Sequence, residues 1–262
     1  MQRIVKLTRW YGRFGNNIQQ LLVAKTHSLS KGWKFSMPNH DYISNFSDNI
    51  GWVEHLIYRQ MRNRYFFYSG EWGFTIEKRL TENFFNFVGK TYIYPNFKFP
   101  IEEPLDDDTL VVHLRGGDVF EKNCPHKEYV QNPLDFYRKI IPSFKKTIIV
   151  AETINSNPVL PHLLAMPHVR VSKGNLIEDF SILLRARNLV SSGVGTFCLA
   201  AAICSPNLKN FFCSDRYLKT HLNPEMIQQN LNVHMINLPN YIDIGDWTYN
   251  DEIHKYMLEY RL

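Results

Sequence analysis

Cysteine is scarce. The chain of 262 residues has four, Cys124, Cys198, Cys204 and Cys213, with no Cys-x-x-Cys and no histidine pair at zinc spacing. That argues against a structural zinc site. Cys198 and Cys204 fall in an apolar run and read as small buried hydrophobes, a usage that fits a reducing compartment. There is no run of ~18 apolar residues, so no membrane-spanning helix is expected. The first ten residues, Met1 to Trp10, are too polar and too short for a secretory signal, and the expected location is cytoplasmic. Glycine and proline are not in excess, no segment is of low complexity and no internal repeat is visible, so disorder is not expected. Charge of one sign is not concentrated either. The net charge of +5 comes from interspersed acids and bases. The densest basic stretch, Arg59 to Arg64, is mixed with aromatics. Nucleic-acid binders gather Lys and Arg on a face or tail. A small anion such as a nucleotide diphosphate is the expected partner, not a nucleic acid.

What the chain does have is 44% hydrophobic residues, enough for one large domain or two compact ones sharing an interface. Arg3 to Leu7 reads as a first strand. A two-glycine turn follows, then a helical pattern from Asn16 to about Lys31, with Gly32 as its C-terminal cap and a second strand from Lys34 to Ser36. Residues 37–100 carry scattered aromatics, with one helix expected from about Phe74 to Val88. Proline and acids cluster from Pro95 to Asp108, which marks a linker between halves at 1–104 and 105–262. Beyond it strands and helices alternate. Strands are expected at Thr109–Leu114, Thr147–Ala151, His168–Val171, Asn188–Ser191, Asn210–Cys213 and His234–Leu238. Helices are expected at Pro133–Ile141 (Pro133 in its first turn), Pro158–Met166, Ile177–Ala186 and Thr196–Ile203. That alternation predicts a parallel α/β sheet covered on both faces.

Three segments carry the chemistry. The first is Gly12-Arg13-Phe14-Gly15-Asn16, where glycines let a ligand approach the backbone and a helix N-terminus offers N–H groups to an anion. Asn16 either caps that helix or contacts a ligand. The turn is not Gly-x-Gly-x-x-Gly and no acid follows about twenty residues on, so the dinucleotide fingerprint is not met. A ligand-free, well-capped turn fits it as well. The second is His113-Leu114-Arg115-Gly116-Gly117-Asp118 at the carboxyl end of a strand, where open parallel sheets bind ligands. Arginine offers a fixed fork of donors to a phosphate, and Asp118 orients it or accepts a proton. A structural Arg115–Asp118 pair at a turn is the plainer alternative. The third is Ser191-Ser192-Gly193-Val194-Gly195-Thr196-Phe197, a strand-to-helix turn rich in N–H groups and hydroxyls. The acidic run Asp106-Asp107-Asp108 resembles a metal site but precedes its strand, so it is expected to be a solvated charge run.

In this order the three segments resemble the fucosyltransferase superfamily that includes the α-1,2-, α-1,6- and protein O-fucosyltransferases. His113 to Asp118 is similar to its central His-x-Arg-x-x-Asp signature. Gly12 to Asn16 resembles its opening motif, and Asp179 to Phe197 its third. The resemblance runs from residue 12 to about 203, and residues 37–100 match nothing in it. It implies a GT-B fold, two Rossmann-like halves with a ligand cleft between them. It also implies GDP-fucose as donor, a glycan acceptor, inversion at the sugar carbon and no metal or other cofactor. By position, Arg115 would hold the β-phosphate. His113 would contact the nucleotide or place Arg115, and Thr196 and Phe197 would bring N–H groups to the diphosphate. Asn16, with Arg13 and Gly15, would face the site from the first half, and Gly117, Ser192 and Gly195 would line it. Relatives often carry a second arginine where this chain has Gly116. They often place a guanine-reading acid near position 187, which here is Arg187, leaving Asp179 or Glu152 for that role. Asp118, Glu152 and Asp179 all stand as candidate bases. A related transferase for another nucleotide sugar, and a non-catalytic carbohydrate- or nucleotide-binding module, are the alternatives.

Overall fold

The computed structural model describes residues 4–52, 84–122, 126–152, 157–227 and 231–262. The basic stretch 59–64, the first part of the helix expected from Phe74, and Cys124 lie outside these.

The chain opens with β1 (Ile4–Lys6), α1 (Phe14–Lys31) and β2 (Lys34–Ser36), and β1 pairs with β2 in a two-stranded parallel sheet. α1 ends as its sequence implies: Gly32 takes the left-handed conformation, φ 63°, and its N–H caps the last turn. Residues 84–88 are helical and run into a π-helical turn, Gly89–Ile93, and a 3-10 turn, Tyr94–Asn96. The expected linker then runs without regular structure to residue 108, but it is fastened down. Leu105 N–H bonds the Arg185 carbonyl at 3.0 Å, and Arg185 pairs with Glu102 at 2.6 Å.

The remainder is a six-stranded parallel sheet: β3 (Thr109–Leu114), β4 (Lys146–Ala151), β5 (Val169–Val171), β6 (Asn188–Val190), β7 (Asn210–Ser214) and β8 (Asn232–Ile236). Between them come α2 (Leu134–Ile140), α3 (Leu160–Leu164), α4 (Leu176–Arg185) and α5 (Thr196–Cys204), and α6 (Asp251–Glu259) closes the chain. The spatial order is β5-β4-β3-β6-β7-β8, all parallel. Counted from β3 this is third, second, first, fourth, fifth, sixth, the doubly wound order whose switch point lies between the first and fourth strands.

Strand residues alternate between two cores, as the two-residue period of a pleated strand requires. Val111 faces the cluster built with α1, α4 and α5, while Leu110, Val112 and Leu114 face the one built with α2, α3 and α6. The first cluster also includes Val5, Leu22 and Phe35, so apolar packing is continuous from the β1–β2 unit through α1 and α5 to the large sheet.

Several expectations need correction. Pro133 is the extended residue before α2, not a member of its first turn. His168 has φ 61° and belongs to the turn ahead of β5. α6, with Asn250 accepting from the Ile253 N–H, was not expected at all. Cys198, Cys204 and Cys213 are buried free thiols, and burial pushes Cys213 up to about 12. Among the described residues no helix is long and apolar enough to cross a membrane.

Candidate functional site

The doubly wound order puts the ends of β3 and β6 side by side at the switch point. These are the ends carrying His113 to Asp118 and Ser191 to Phe197. The sheet therefore brings the second and third motifs together, and the long-range packing of α1 on α5 brings the first.

That packing depends on Gly15. A Cβ placed there would lie 2.7 Å from the Phe197 backbone nitrogen and 2.9 Å from the Thr196 carbonyl carbon. Only a residue without a side chain allows the two helix N-termini to meet so closely. Asn16 then bridges them, its Oδ1 accepting a 2.6 Å hydrogen bond from Thr196 Oγ1. This corrects one expectation: the residue at the cap position of α1 is Arg13, and Asn16 does not cap the helix but reaches across to α5. Neither α1 nor α5 has a side-chain cap or an acid in its first turn, whereas Asn175 and Glu178 form a full capping box on α4.

His113 is buried on the face of the sheet toward α5. Its Nδ1 is 3.3 Å from Ser192 Oγ and its ring centroid 5.5 Å from that of Phe197. Burial, helped by the charge on Arg115, pushes its pKa down to about 3, so the ring is neutral at physiological pH. Asn132 clamps the same loop, its N–H bonding the Ser192 carbonyl at 3.0 Å and its side chain the Ser191 carbonyl at 2.9 Å.

Arg115 is mostly buried, with 17% of its side chain exposed. Its Nη2 donates to Asp118 Oδ1 at 3.1 Å, and its guanidinium carbon lies 4.5 Å from the centre of the Tyr129 ring. Its Nε is buried and has no hydrogen-bond partner among the described residues. Gly195, ahead of α5, stands beside it: a Cβ there would be 3.7 Å from Arg115 Nη1. Asp118 is also approached by Arg13 Nη2 at 3.9 Å and His126 Nε2 at 3.7 Å. Burial alone would raise the Asp118 carboxyl, but Arg115, with smaller help from Arg13 and His126, outweighs it and holds the group below its ordinary range.

Glu152, just past β4, bonds Arg13 across the gap between the first motif and the sheet, at 3.0 and 3.1 Å. Its carboxylate rests against Gly117. That residue has φ 73°, and a Cβ on it would lie 2.9 Å from both Glu152 oxygens. The resident carboxylate thus occupies the approach to the glycine pair that the sequence reading reserves for a diphosphate.

Asp179 lies in the first turn of α4, beyond β5, next to Phe180, whose ring packs on Phe14 and Phe197 of the first and third motifs. It accepts a 2.7 Å hydrogen bond from Ser172 Oγ, and burial raises its pKa above the ordinary value. Arg187 lies at the amino edge of the sheet, where it pairs with Asp107 at 3.1 Å. Asp107 also takes Lys209, Asp108 takes Lys145 and Asp106 takes Lys146, all in exposed pairs. The acidic run is a solvated charge cluster at the end of the sheet opposite Arg115. Among the described residues no three His, Cys, Asp or Glu side chains are grouped as a metal site.

Sequence reasoning missed Tyr129 and His126. The only local signal was their position in a loop ahead of α2. A concavity of about 450 Å³ opens beyond the carboxyl ends of β1 and β2, away from these residues, with Lys6, Thr8, Ser36, Asn45 and Asp48 in its lining. Comparison of the chain with protein-family models, curated proteins and solved structures returns no match.

Proposed function

We propose that the protein is an inverting glycosyltransferase, fucosyltransferase-like, that moves fucose from GDP-fucose to a glycan acceptor without a metal ion. The observation that carries this reading is Arg115: a mostly buried guanidinium whose Nε has no partner among the described residues, beside the uncapped N-terminus of α5, at the switch point of a doubly wound sheet. A buried donor left unpaired costs about 1–3 kcal/mol, a cost that a ligand oxygen would relieve. Diphosphate oxygens suit the fork of an arginine and the N–H groups of a helix start.

In this reading the acceptor hydroxyl oxygen attacks the anomeric carbon of the donor from the face opposite the leaving diphosphate. The bond from that carbon to the β-phosphate oxygen breaks, and the diphosphate leaves with the electron pair. The acceptor proton passes to solvent, directly or through a carboxylate. The transition state is oxocarbenium-like, so stabilising the leaving group matters more than a strong base. Arg115, Arg13 and the N–H groups of Thr196 and Phe197 supply that stabilisation. Asp118, held in its charged form by two arginines, is a weak proton acceptor, and its part is to hold Arg115 and Arg13. Glu152 and Asp179 stay open as bases. The proposal includes a GT-B arrangement with the donor on residues 105–262 and the acceptor on 1–104, where the concavity beyond β1 and β2 offers hydroxyl, amide and carboxylate groups to a sugar.

A second reading, a transferase for another nucleotide sugar, is favoured by one observation. Arg187 is engaged with Asp107 at the opposite edge of the sheet, so the position that carries the guanine-reading acid in the resembling family supplies none here.

A ligand bound only by the folded chain raises its melting temperature. The test compares GDP, UDP and their sugars for that rise, and then follows hydrolysis of GDP-fucose without acceptor. A rise with GDP and slow hydrolysis support the proposal. A rise with UDP alone favours the second reading, and binding without any turnover points to a non-catalytic module.

A further inference from the structure

Tyr129 belongs to none of the three motifs, yet its ring packs against the residue on which the proposed function rests. Among the described residues Arg115 has one charged anchor, Asp118, and that anchor is shared with Arg13. A guanidinium held at one nitrogen can swing about that contact. The Tyr129 ring, 4.5 Å from the guanidinium carbon, supplies a second constraint through cation–π attraction.

Tyr129 is itself held on several sides. Its N–H bonds the His126 carbonyl at 3.0 Å. Its carbonyl accepts from Gln131 Nε2 at 2.9 Å, and that same nitrogen bonds the carbonyl of Val194 in the loop after β6, at 3.1 Å. Gln131 is fully buried, and the Val194 N–H returns a 3.0 Å bond to the Val130 carbonyl. On the other side the Lys127 carbonyl accepts from Gly245 and Trp247 N–H groups at 3.2 and 2.9 Å. The rings of His126 and His221 flank Tyr129, with centroids at 5.1 and 6.1 Å. The ring is thus fastened to the loop after β6 and to the C-terminal segment.

We infer that Tyr129 is a positioning residue for Arg115: its ring face fixes the guanidinium and keeps water from it, so that the arginine meets an anionic leaving group already oriented and desolvated. Such preorganisation is what gives an electrostatic donor its catalytic weight. The inference rests on the proposed function for its effect on turnover, but not for its effect on Arg115 itself.

The experiment therefore has two arms, both on the full chain. In the ligand-free protein, the Nε–Hε resonance of Arg115 is assigned by its loss in Arg115→Lys, and the exchange of Hε with water is measured. Tyr129→Leu should speed that exchange, while Tyr129→Phe, which keeps the ring, should leave it slow. In the second arm kcat with GDP-fucose should fall about tenfold in Tyr129→Leu, and Tyr129→Phe should restore most of it. In the Arg115→Lys background the Tyr129→Leu effect should vanish, because the two act as one unit. Should Tyr129→Leu lower the melting temperature below the assay range, Tyr129→Met replaces it, an apolar side chain without a π face. Wild-type exchange rates in the Leu or Met variant would overturn the inference. So would equal losses in Phe and Leu, which would assign the effect to the hydroxyl. If the wild type shows no turnover of any nucleotide sugar, the functional reading fails, and the exchange arm still decides the role of Tyr129.

Discussion

Arg13 Nη1 donates to both carboxylate oxygens of Glu152, at 3.0 and 3.1 Å, and so ties the turn after β1 to the end of β4 across 139 residues of sequence. The pair is largely solvent-exposed on the arginine side. Exposed pairs contribute little, so a diphosphate competing for Arg13 would displace Glu152 at small cost.

Glu152→Gln removes that competitor. The expected result is GDP affinity raised about two- to fivefold, the range such pairs are worth. Isothermal titration calorimetry reads it directly. A loss of affinity would instead mean that Glu152 contacts the nucleotide.

Gly15→Ala places a methyl group where the backbone of Thr196 and Phe197 already lies. α1 and α5 must then separate, and overpacking of this kind costs about 1–3 kcal/mol. Denaturant unfolding should show that loss, together with weaker nucleotide binding, since the same shift breaks the Asn16–Thr196 bond. Unchanged stability would contradict the close approach of the two helix ends.

His113 gives a pH signature. Its folded pKa is about 3 because burial disfavours the charged ring, whereas the unfolded value is 6.5. Below pH 6.5 the unfolded chain binds a proton that the folded chain refuses, so stability falls as pH drops from about 6.5 toward 3. His113→Asn, which keeps a polar atom near Nδ1, should make that part of the curve of melting temperature against pH shallower, with a remaining slope from His27, which burial lowers to about 4, and from His40, which burial also lowers. A curve with the wild-type slope would show that another group sets it.

Asp106, Asp107 and Asp108 sit at the amino edge of the sheet, paired with Lys146, Lys209, Arg187 and Lys145. Replacing all three by Asn should leave transfer from GDP-fucose nearly unchanged, and the same assay should proceed in EDTA. Activity abolished by chelation and restored by manganese would overturn the metal-free reading.

The sequence was most legible where local and global signals agree. β3 falls on the expected residues because six apolar-compatible positions lie between an acidic run and a glycine pair. The end of α1 was legible because Gly32 suits a left-handed cap. The interior of α1 was less so: Gln19, Gln20, Lys25 and Thr26 are buried, and no local pattern separates them from a solvated face. Lys25 is accommodated by Asp48 at 3.5 Å and by the rings of Phe35 and Tyr92, partners distant in sequence. The stretch before Asp108 has the composition of a linker, but its docking is set by Arg185, which composition does not reveal. Tyr129 was invisible for the same reason, since its contact with Arg115 is made by the fold. α6 could have been found from Asn250 followed by Asp251 and Glu252, a cap with acids in the first turn. The motifs at β3 and β6 were readable one by one, and their meeting at the switch point follows from the strand order.

The most direct test is the turnover of Arg115→Lys with GDP-fucose, with Arg115→Ala as its folding control. An ammonium cannot reproduce the fork of donors, and the contact strengthens as charge builds on the diphosphate. The account predicts that kcat falls about 10²–10³-fold in both variants while each melts close to the wild type. Near-wild-type turnover in Arg115→Lys, or unfolding of Arg115→Ala, would make Arg115 a structural residue and contradict the proposed function at its centre.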